Sequence, residues 1–214
     1  MSFTLLIIDD HQMIVDWYTN VLRQVFQEAT LLSATSITEG IAHVDHCTTL
    51  DLVLVDYNLG KADTGKNIAN GVELVNYIKQ KFSKVQTILV TGHEGSLILY
   101  SIHKKIVPQG LLLKTDVTEE LLKQAVQAVQ KGERFYSFHA NEALKEIYKK
   151  EALLQEQNVQ ILLLLERGFK IKEISEVLFL SESAVNKRIA GLKQVFDVVD
   201  NGGLVKKVKE EGFV

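Results

Sequence analysis

Two short apolar runs, each closed by acid, constrain this chain more than any other feature. Residues 52–56 read Leu-Val-Leu-Val-Asp and residues 3–10 read Phe-Thr-Leu-Leu-Ile-Ile-Asp-Asp. Runs this short and this rich in β-branched and aliphatic side chains read as strands buried on both faces of a sheet. In open α/β sheets the carboxyl ends of the strands are where ligands and chemistry sit. If the two strands are parallel neighbours, Asp9, Asp10 and Asp56 converge on one rim. Three like charges so close repel unless a cation neutralises them, and an all-oxygen, carboxylate-rich cluster suits a hard divalent ion such as Mg²⁺.

Residues 31–34, 84–91 and 111–113 supply further strand-like runs, and apolar residues at helical spacing mark helices over 11–27, 36–47, 72–82, 96–105 and 118–131. Asp116 or Thr118 is placed to cap the last of these. The alternation predicts an α/β fold: a doubly wound, five-stranded parallel sheet with right-handed crossovers. Between the third strand and its helix, residues 57–70 turn polar and form a long loop, either a lid or a plain surface insertion. A length of 214 residues accommodates a second, smaller domain. The near balance of 24 basic and 27 acidic side chains excludes a strongly basic or acidic protein. No apolar run reaches the roughly 18 residues a membrane span needs, and the start of the chain lacks the pattern of a signal peptide. A lone cysteine, Cys47, excludes an internal disulfide and fits a cytoplasmic protein.

The strand ends carry Asp9 and Asp10, Asp56, Thr91 and Lys114 in chain order. Two acids after the first strand, one closing the third, a hydroxyl closing the fourth and a lysine closing the fifth resemble the receiver domains of response regulators, over residues 1–131. The resemblance implies that Asp56 is the phosphoacceptor. It implies that Asp10, Asp56 and the backbone carbonyl of Asn58 hold Mg²⁺, with Asp9 acting through water. Thr91 would bond the phosphoryl oxygen and Lys114 would be its ion-pair partner. Leu111 stands where receivers commonly carry the aromatic that reports phosphorylation, and Leu59-Gly60 replaces the usual methionine-proline; Gly71 is the candidate for the glycine that follows. His43, His46 and Cys47 share a helical face and form a weaker metal candidate, against an ordinary helix surface. His11 reads as the start of the first helix.

Residues 132–152 are charged and lack a strong apolar stripe, which suits a helical linker, with Leu144, Ile147, Tyr148, Leu153 and Leu154 available to pack it. Helices then follow over 155–167, 171–178 and 181–196, with Gly168 as a C-cap and Ser181 as an N-cap. Asn201-Gly202-Gly203 reads as a break before a last helix over 204–211. A short helix, a tight turn and a longer helix form a helix-turn-helix. The string from Gly168 to Phe196 is similar to the LuxR-type DNA-binding domain, over 153–214. On that resemblance Ser183, Asn186, Lys187 and Ala190 face the DNA, Arg188 and Lys193 reach phosphate or guanine, and Leu204, Val205 and Val208 are apolar positions for a dimer seam. Their alternative is packing within the domain. The nine basic and nine acidic side chains of 153–214 cancel, whereas DNA-binding modules normally carry a positive excess; the helix over 181–196 is locally basic.

Together these features predict a cytoplasmic two-component response regulator. It would accept a phosphoryl group on Asp56 from a sensor histidine kinase, pair as a homodimer when phosphorylated, and regulate transcription on double-stranded DNA. Two rival readings remain: a receiver governing a protein-docking helical domain, and a regulator that acts without phosphorylation. A conventional enzyme is the weakest alternative.

Overall fold

The computed structural model describes residues 3–63, 65–149 and 155–214. Leu153 and Leu154 lie outside them. The chain divides into two compact units. The first comprises the residues up to Gly92 with Lys105–Phe138, and the second His93–Lys104 with His139–Val214.

The first unit is a parallel sheet of six strands in the order β2-β1-β3-β4-β5-β6: β1 Thr4–Ile8, β2 Thr30–Ala34, β3 Leu52–Asp56, β4 Gln86–Thr91, β5 Gly110–Leu113 and β6 Phe135–Tyr136. Every pairing is parallel. The five expected strands are present. The sixth, which extends the sheet beyond β5, corrects the expected count: two residues within an apparent linker are too short to show the alternation that marks a strand. All residues of β1, β3 and β5 are buried, as their unbroken apolar runs require. One face packs Leu5, Ile7, Leu52, Leu54, Ile88, Val90 and Leu112 against Val15, Tyr18 and Leu22 of helix α1 (Gln12–Val25) and Leu122, Val126 and Val129 of α5 (Glu119–Gln130). Helices α2 (Ile37–His46) and α3 (Gly71–Lys81) adjoin one another. Their side of the sheet is the one Ile8 faces, since a Cβ on Gly40 of α2 would stand 3.0 Å from its Cδ1. Ser36, Asn70 and Thr118 cap α2, α3 and α5 with side-chain oxygens.

Register brings the strand ends together. Ile8 pairs with Val55, Asp56 with Val90 and Thr91 with Leu113, so the residues that follow β1, close β3 and β4 and follow β5 share one rim. That rim straddles β1 and β3, the point where strand order reverses and open sheets place their sites.

The second unit contains α4 (Ser96–Ile106) up to Lys104, with α6 (Phe138–Lys149) from His139, α7 (Glu156–Glu166), α8 (Ile171–Leu178), α9 (Glu182–Val195) and α10 (Asn201–Glu210). Gly168 and Phe179 take positive φ at the ends of α7 and α8, and Ser181 caps α9 by accepting from Ala184 N. Asn201-Gly202-Gly203 is not a break but the first turn of α10. The break falls before it, where the Asp200 carboxylate accepts from Gly203 N at 2.7 Å and offsets the poor helix propensity of two glycines. Within the expected linker, Leu144 and Ile147 are buried while Tyr148 is 53% exposed.

Gly71 locks the start of α3 to the end of β3. Its N–H donates to Tyr57 O at 2.9 Å, and a Cβ there would meet the Asp56 carbonyl oxygen at 2.1 Å. A Gly71→Ala chain is expected to lose about 1–3 kcal/mol of stability, as overpacked cores do. Chemical denaturation measures this, and an unchanged midpoint would rule out the close approach.

Candidate functional site on the sheet rim and candidate nucleic-acid interface

The rim concentrates charge in a buried place. The side chains of Asp9 and Asp56 are only 1% and 3% exposed, Asp10 is 29% exposed, and Lys114 reaches in from the end of β5. Lys114 Nζ stands 3.0 Å from Asp9 Oδ2 and 3.1 Å from Asp56 Oδ1. Neither oxygen accepts a well-aligned hydrogen bond. These are charge contacts of one cation with two anions. The backbone N–H of His11 donates to Asp9 Oδ1 at 3.0 Å, and its Nδ1 lies 3.2 Å from that oxygen and 2.8 Å from Asp10 Oδ1.

Burial, only partly offset by Lys114 and reinforced by Asp9 and Asp10, pushes the Asp56 carboxyl up to about 6. For Lys114, burial pulls downward, but its close contacts with Asp9 and Asp56 prevail and raise it. Tyr18 lies beneath on α1; burial first, and then the charges of Asp9 and Asp56, raise its hydroxyl. The charge of Asp9 contributes to all three upward shifts.

The acid pair, Asp56 and Lys114 are therefore gathered as expected, and Thr91 closes β4 fully buried on the same rim. Leu111 is wholly buried in β5, paired with Leu89 on one side and Tyr136 on the other. Asn58 lies on the segment leaving β3, which Leu59, 2% exposed, anchors in the core. Gly60 follows at φ 64°, where a Cβ would stand 3.1 Å from Asp10 Oδ2. Asp63 and Lys66 of the same loop are fastened to α2 and α3. Thr38 donates to Asp63 Oδ2 at 3.0 Å, Lys66 Nζ lies 3.3 Å from Asp45 Oδ2, and the Tyr77 hydroxyl donates to Asp45 Oδ1 at 2.6 Å.

The donor set fits a hard divalent cation. It offers oxygens from three acids, of which Asp9 Oδ2 and Asp56 Oδ1 are buried without a directed hydrogen bond, with Lys114 set against both. Among the described residues, the only cluster of three or more acidic, His or Cys ligands is Asp9, Asp10 and His11. His43 and His46 instead bond the carbonyls of Ser33 and Ala42. His11 was not foreseen on the acids; its one sequence signal is adjacency to them.

In the helical unit, Ser183, Asn186, Lys187 and Ala190 are exposed along one strip of α9, and Gln194, absent from the sequence reading, extends it. Lys193 is half-buried. Arg188 turns away from the strip: its Nη1 donates to Gln155 Oε1 at 2.9 Å and to Asn158 Oδ1 at 3.1 Å, joining α9 to the start of α7. Leu204 and Val208 are buried in the unit's own core, while Val205 is half-buried.

A doubly wound parallel sheet whose switch-point rim carries a buried acid cluster, a hydroxyl and one lysine defines a phosphoryl-receiver type of signalling domain. Residues 5–127 match the response regulator receiver domain, and the chain belongs to that family. It is similar along its length to the nitrate/nitrite response regulator protein NarP of Escherichia coli, with 26% identity over 92% of this chain and 89% of that one. It is also similar to the response regulator protein VraR of Staphylococcus aureus, with 22% identity over 94% and 93%. RcsB of Salmonella enterica serovar Typhimurium, solved bound to a promoter in the presence of a phosphomimetic, shares the fold with a TM-score of 0.67 at 21% identity, over 98% of this chain and all of that one.

The Asp56 shift yields a stability test with a definite sign. Because the folded chain holds this proton more tightly than the unfolded chain, the group's contribution is present below about pH 4 and is lost as pH rises through about 6. In metal-free buffer, Asp56→Asn is expected to match the parent near pH 4 and to be more stable by about 1–2 kcal/mol at pH 7. A stability difference that does not change with pH would contradict the buried, charge-crowded carboxylate.

Proposed function

We propose that this chain is a cytoplasmic two-component response regulator that takes a phosphoryl group from a sensor histidine kinase and regulates transcription by binding double-stranded DNA. The observation that carries the reading is the placing of Asp56 at the end of β3 with Lys114 Nζ 3.1 Å from its carboxylate. An Asp56 oxygen attacks the donor phosphorus, the phosphorus–nitrogen bond of the phosphohistidine breaks, and an acyl phosphate forms. Lys114 then faces the added charge, and the Thr91 hydroxyl bonds a phosphoryl oxygen. Asp10, Asp56 and the Asn58 carbonyl would hold Mg²⁺, with Asp9 acting through water. Bound there, the ion supplies the charge neutralisation that lets an anionic nucleophile approach an anionic phosphoryl group.

For DNA, Ser183, Asn186, Lys187 and Ala190 present the base-reading strip, with Lys193 on phosphate. Arg188, engaged with Gln155 and Asn158, is better placed to orient α9 than to read a base. The absence of net charge in 153–214 makes a single copy a weak binder, and pairing of phosphorylated chains doubles its contacts. Of Leu204, Val205 and Val208, only Val205 has side-chain surface left for such a seam. The rival reading, a protein-docking domain, draws on that neutrality and on Phe179, 95% exposed in the turn before α9.

Asp56→Asn is expected to abolish Mg²⁺-dependent labelling by a small phosphodonor, read as the mass of the adduct; labelling at unchanged stoichiometry would refute the assignment. Lys187→Ala is expected to weaken binding to any duplex by about tenfold at low salt and to flatten the salt dependence by about one counterion. An unchanged salt slope would remove Lys187 from the interface. Failure of the parent chain to bind any duplex would favour protein docking.

A further inference from the structure

His11 opens α1 without capping it. Polar residues at this position normally turn their side chains onto the helix's own leading amides. His11 makes no such bond and turns to the acids instead, with Nδ1 2.8 Å from Asp10 Oδ1 and 3.2 Å from Asp9 Oδ1. Its backbone N–H already donates to Asp9 Oδ1 at 3.0 Å, so the imidazole is an additional polar group on the same cluster. One ligand atom from each of Asp9, Asp10 and His11 lies within 4.8 Å of the others, within reach of a single metal ion.

The cluster has two sides. Lys114 faces Asp9 Oδ2 and Asp56 Oδ1, whereas His11 faces Asp9 Oδ1 and Asp10. Independently of His11, Asp9 Oδ2 and Asp56 Oδ1 are buried without a directed hydrogen bond, which makes the acids receptive to a cation. Carboxylate and carbonyl oxygens suit Mg²⁺, whereas an imidazole nitrogen suits transition ions such as Zn²⁺, which also accept carboxylate oxygen. The nitrogen is therefore the atom that decides between them. His11 takes up that role by a change of tautomer. With the ring proton on Nε2, on a side chain 68% exposed to water, Nδ1 presents a lone pair to the acids in place of an N–H.

We propose that His11 Nδ1 is a ligand of the metal at this rim, and that the site accordingly takes a borderline transition ion, of which Zn²⁺ is the type, in preference to Mg²⁺. The proposal rests on the reading of the acid cluster as a metal site. It adds a nitrogen to a donor set otherwise made of oxygens. The addition does not depend on the helix that follows: Ile14 N and Val15 N both donate to the His11 carbonyl, at 2.9 and 3.2 Å. Replacing the imidazole therefore leaves the backbone bonds that begin α1 in place.

The test titrates the metal-free, full-length chain with Zn²⁺ and with Mg²⁺ by calorimetry, and follows the histidine rings by long-range ¹H–¹⁵N correlation spectra. Zn²⁺ is expected to hold His11 in the Nε2–H tautomer with Nδ1 shifted by the ion, and Mg²⁺ to produce no such shift. His11→Ala is expected to lower Zn²⁺ affinity at least about tenfold and to change Mg²⁺ affinity by less than about twofold. His11→Gln, which keeps a polar side chain but offers no imidazole nitrogen, is expected to give the same split. Saturating Mg²⁺ is expected to weaken Zn²⁺ uptake at this site. Zn²⁺ binding without a shift at His11 Nδ1, or binding that Mg²⁺ does not weaken, would overturn the proposal and leave the acid site intact. Equal losses of both ions in either variant would also overturn it, leaving His11 as a residue that only orients the acids. Failure of the parent chain to bind either ion would overturn the ligand and the metal-site reading together.

Discussion

The architecture depends on a charge imbalance that the sheet imposes. Parallel strands covered on both faces must be apolar through their middles, so polar groups collect at the ends, and register then decides which ends meet. Here it brings two almost fully buried carboxylates and a third, more open one to a rim where Lys114 is in ionic contact with the buried pair. Unpaired charge in such a place is costly, and the raised Asp56 carboxyl is the visible sign of that cost. A site short of positive charge is receptive to a divalent cation. With that cation present, a carboxylate is free to act as a nucleophile toward phosphorus.

The surroundings keep this arrangement from relaxing. Gly71 lets α3 start against the backbone of Asp56, and Gly60 lets the following loop lie against Asp10; in both places a larger residue would crowd an acid of the site. The loop over 57–70, longer than the receiver pattern, resolves into a short bridge between Asp63 and Ile68 pinned to α2 and α3 by Thr38, Asp45 and Tyr77. Its polar residues satisfy one another on the helix surface, which favours a docked insertion over a lid.

Much of this was legible from side chains alone, because long-range register follows from unbroken apolar runs and the acids at their ends need no knowledge of distance. What escaped has identifiable causes. Strand β6 is two residues long, below the length at which periodicity carries information. The glycines at 202 and 203 suggest a break by propensity, but the Asp200 cap overrides them. Arg188 carries the charge of a DNA contact, yet its partners Gln155 and Asn158 lie about thirty residues away in sequence, at separations of 33 and 30, and no local pattern announces such a bond. His11 on the acid pair is likewise a meeting that depends on the folded chain.

The most direct test of the account is calorimetric titration of the metal-free chain with Mg²⁺, comparing the parent with Asp10→Asn and Lys114→Met. If the acid cluster is short of positive charge, the parent takes up one equivalent, Asp10→Asn loses at least about tenfold in affinity, and Lys114→Met binds more tightly because a competing cation is gone. Magnesium affinity that ignores both substitutions would contradict the shared pocket from which the functional reading follows.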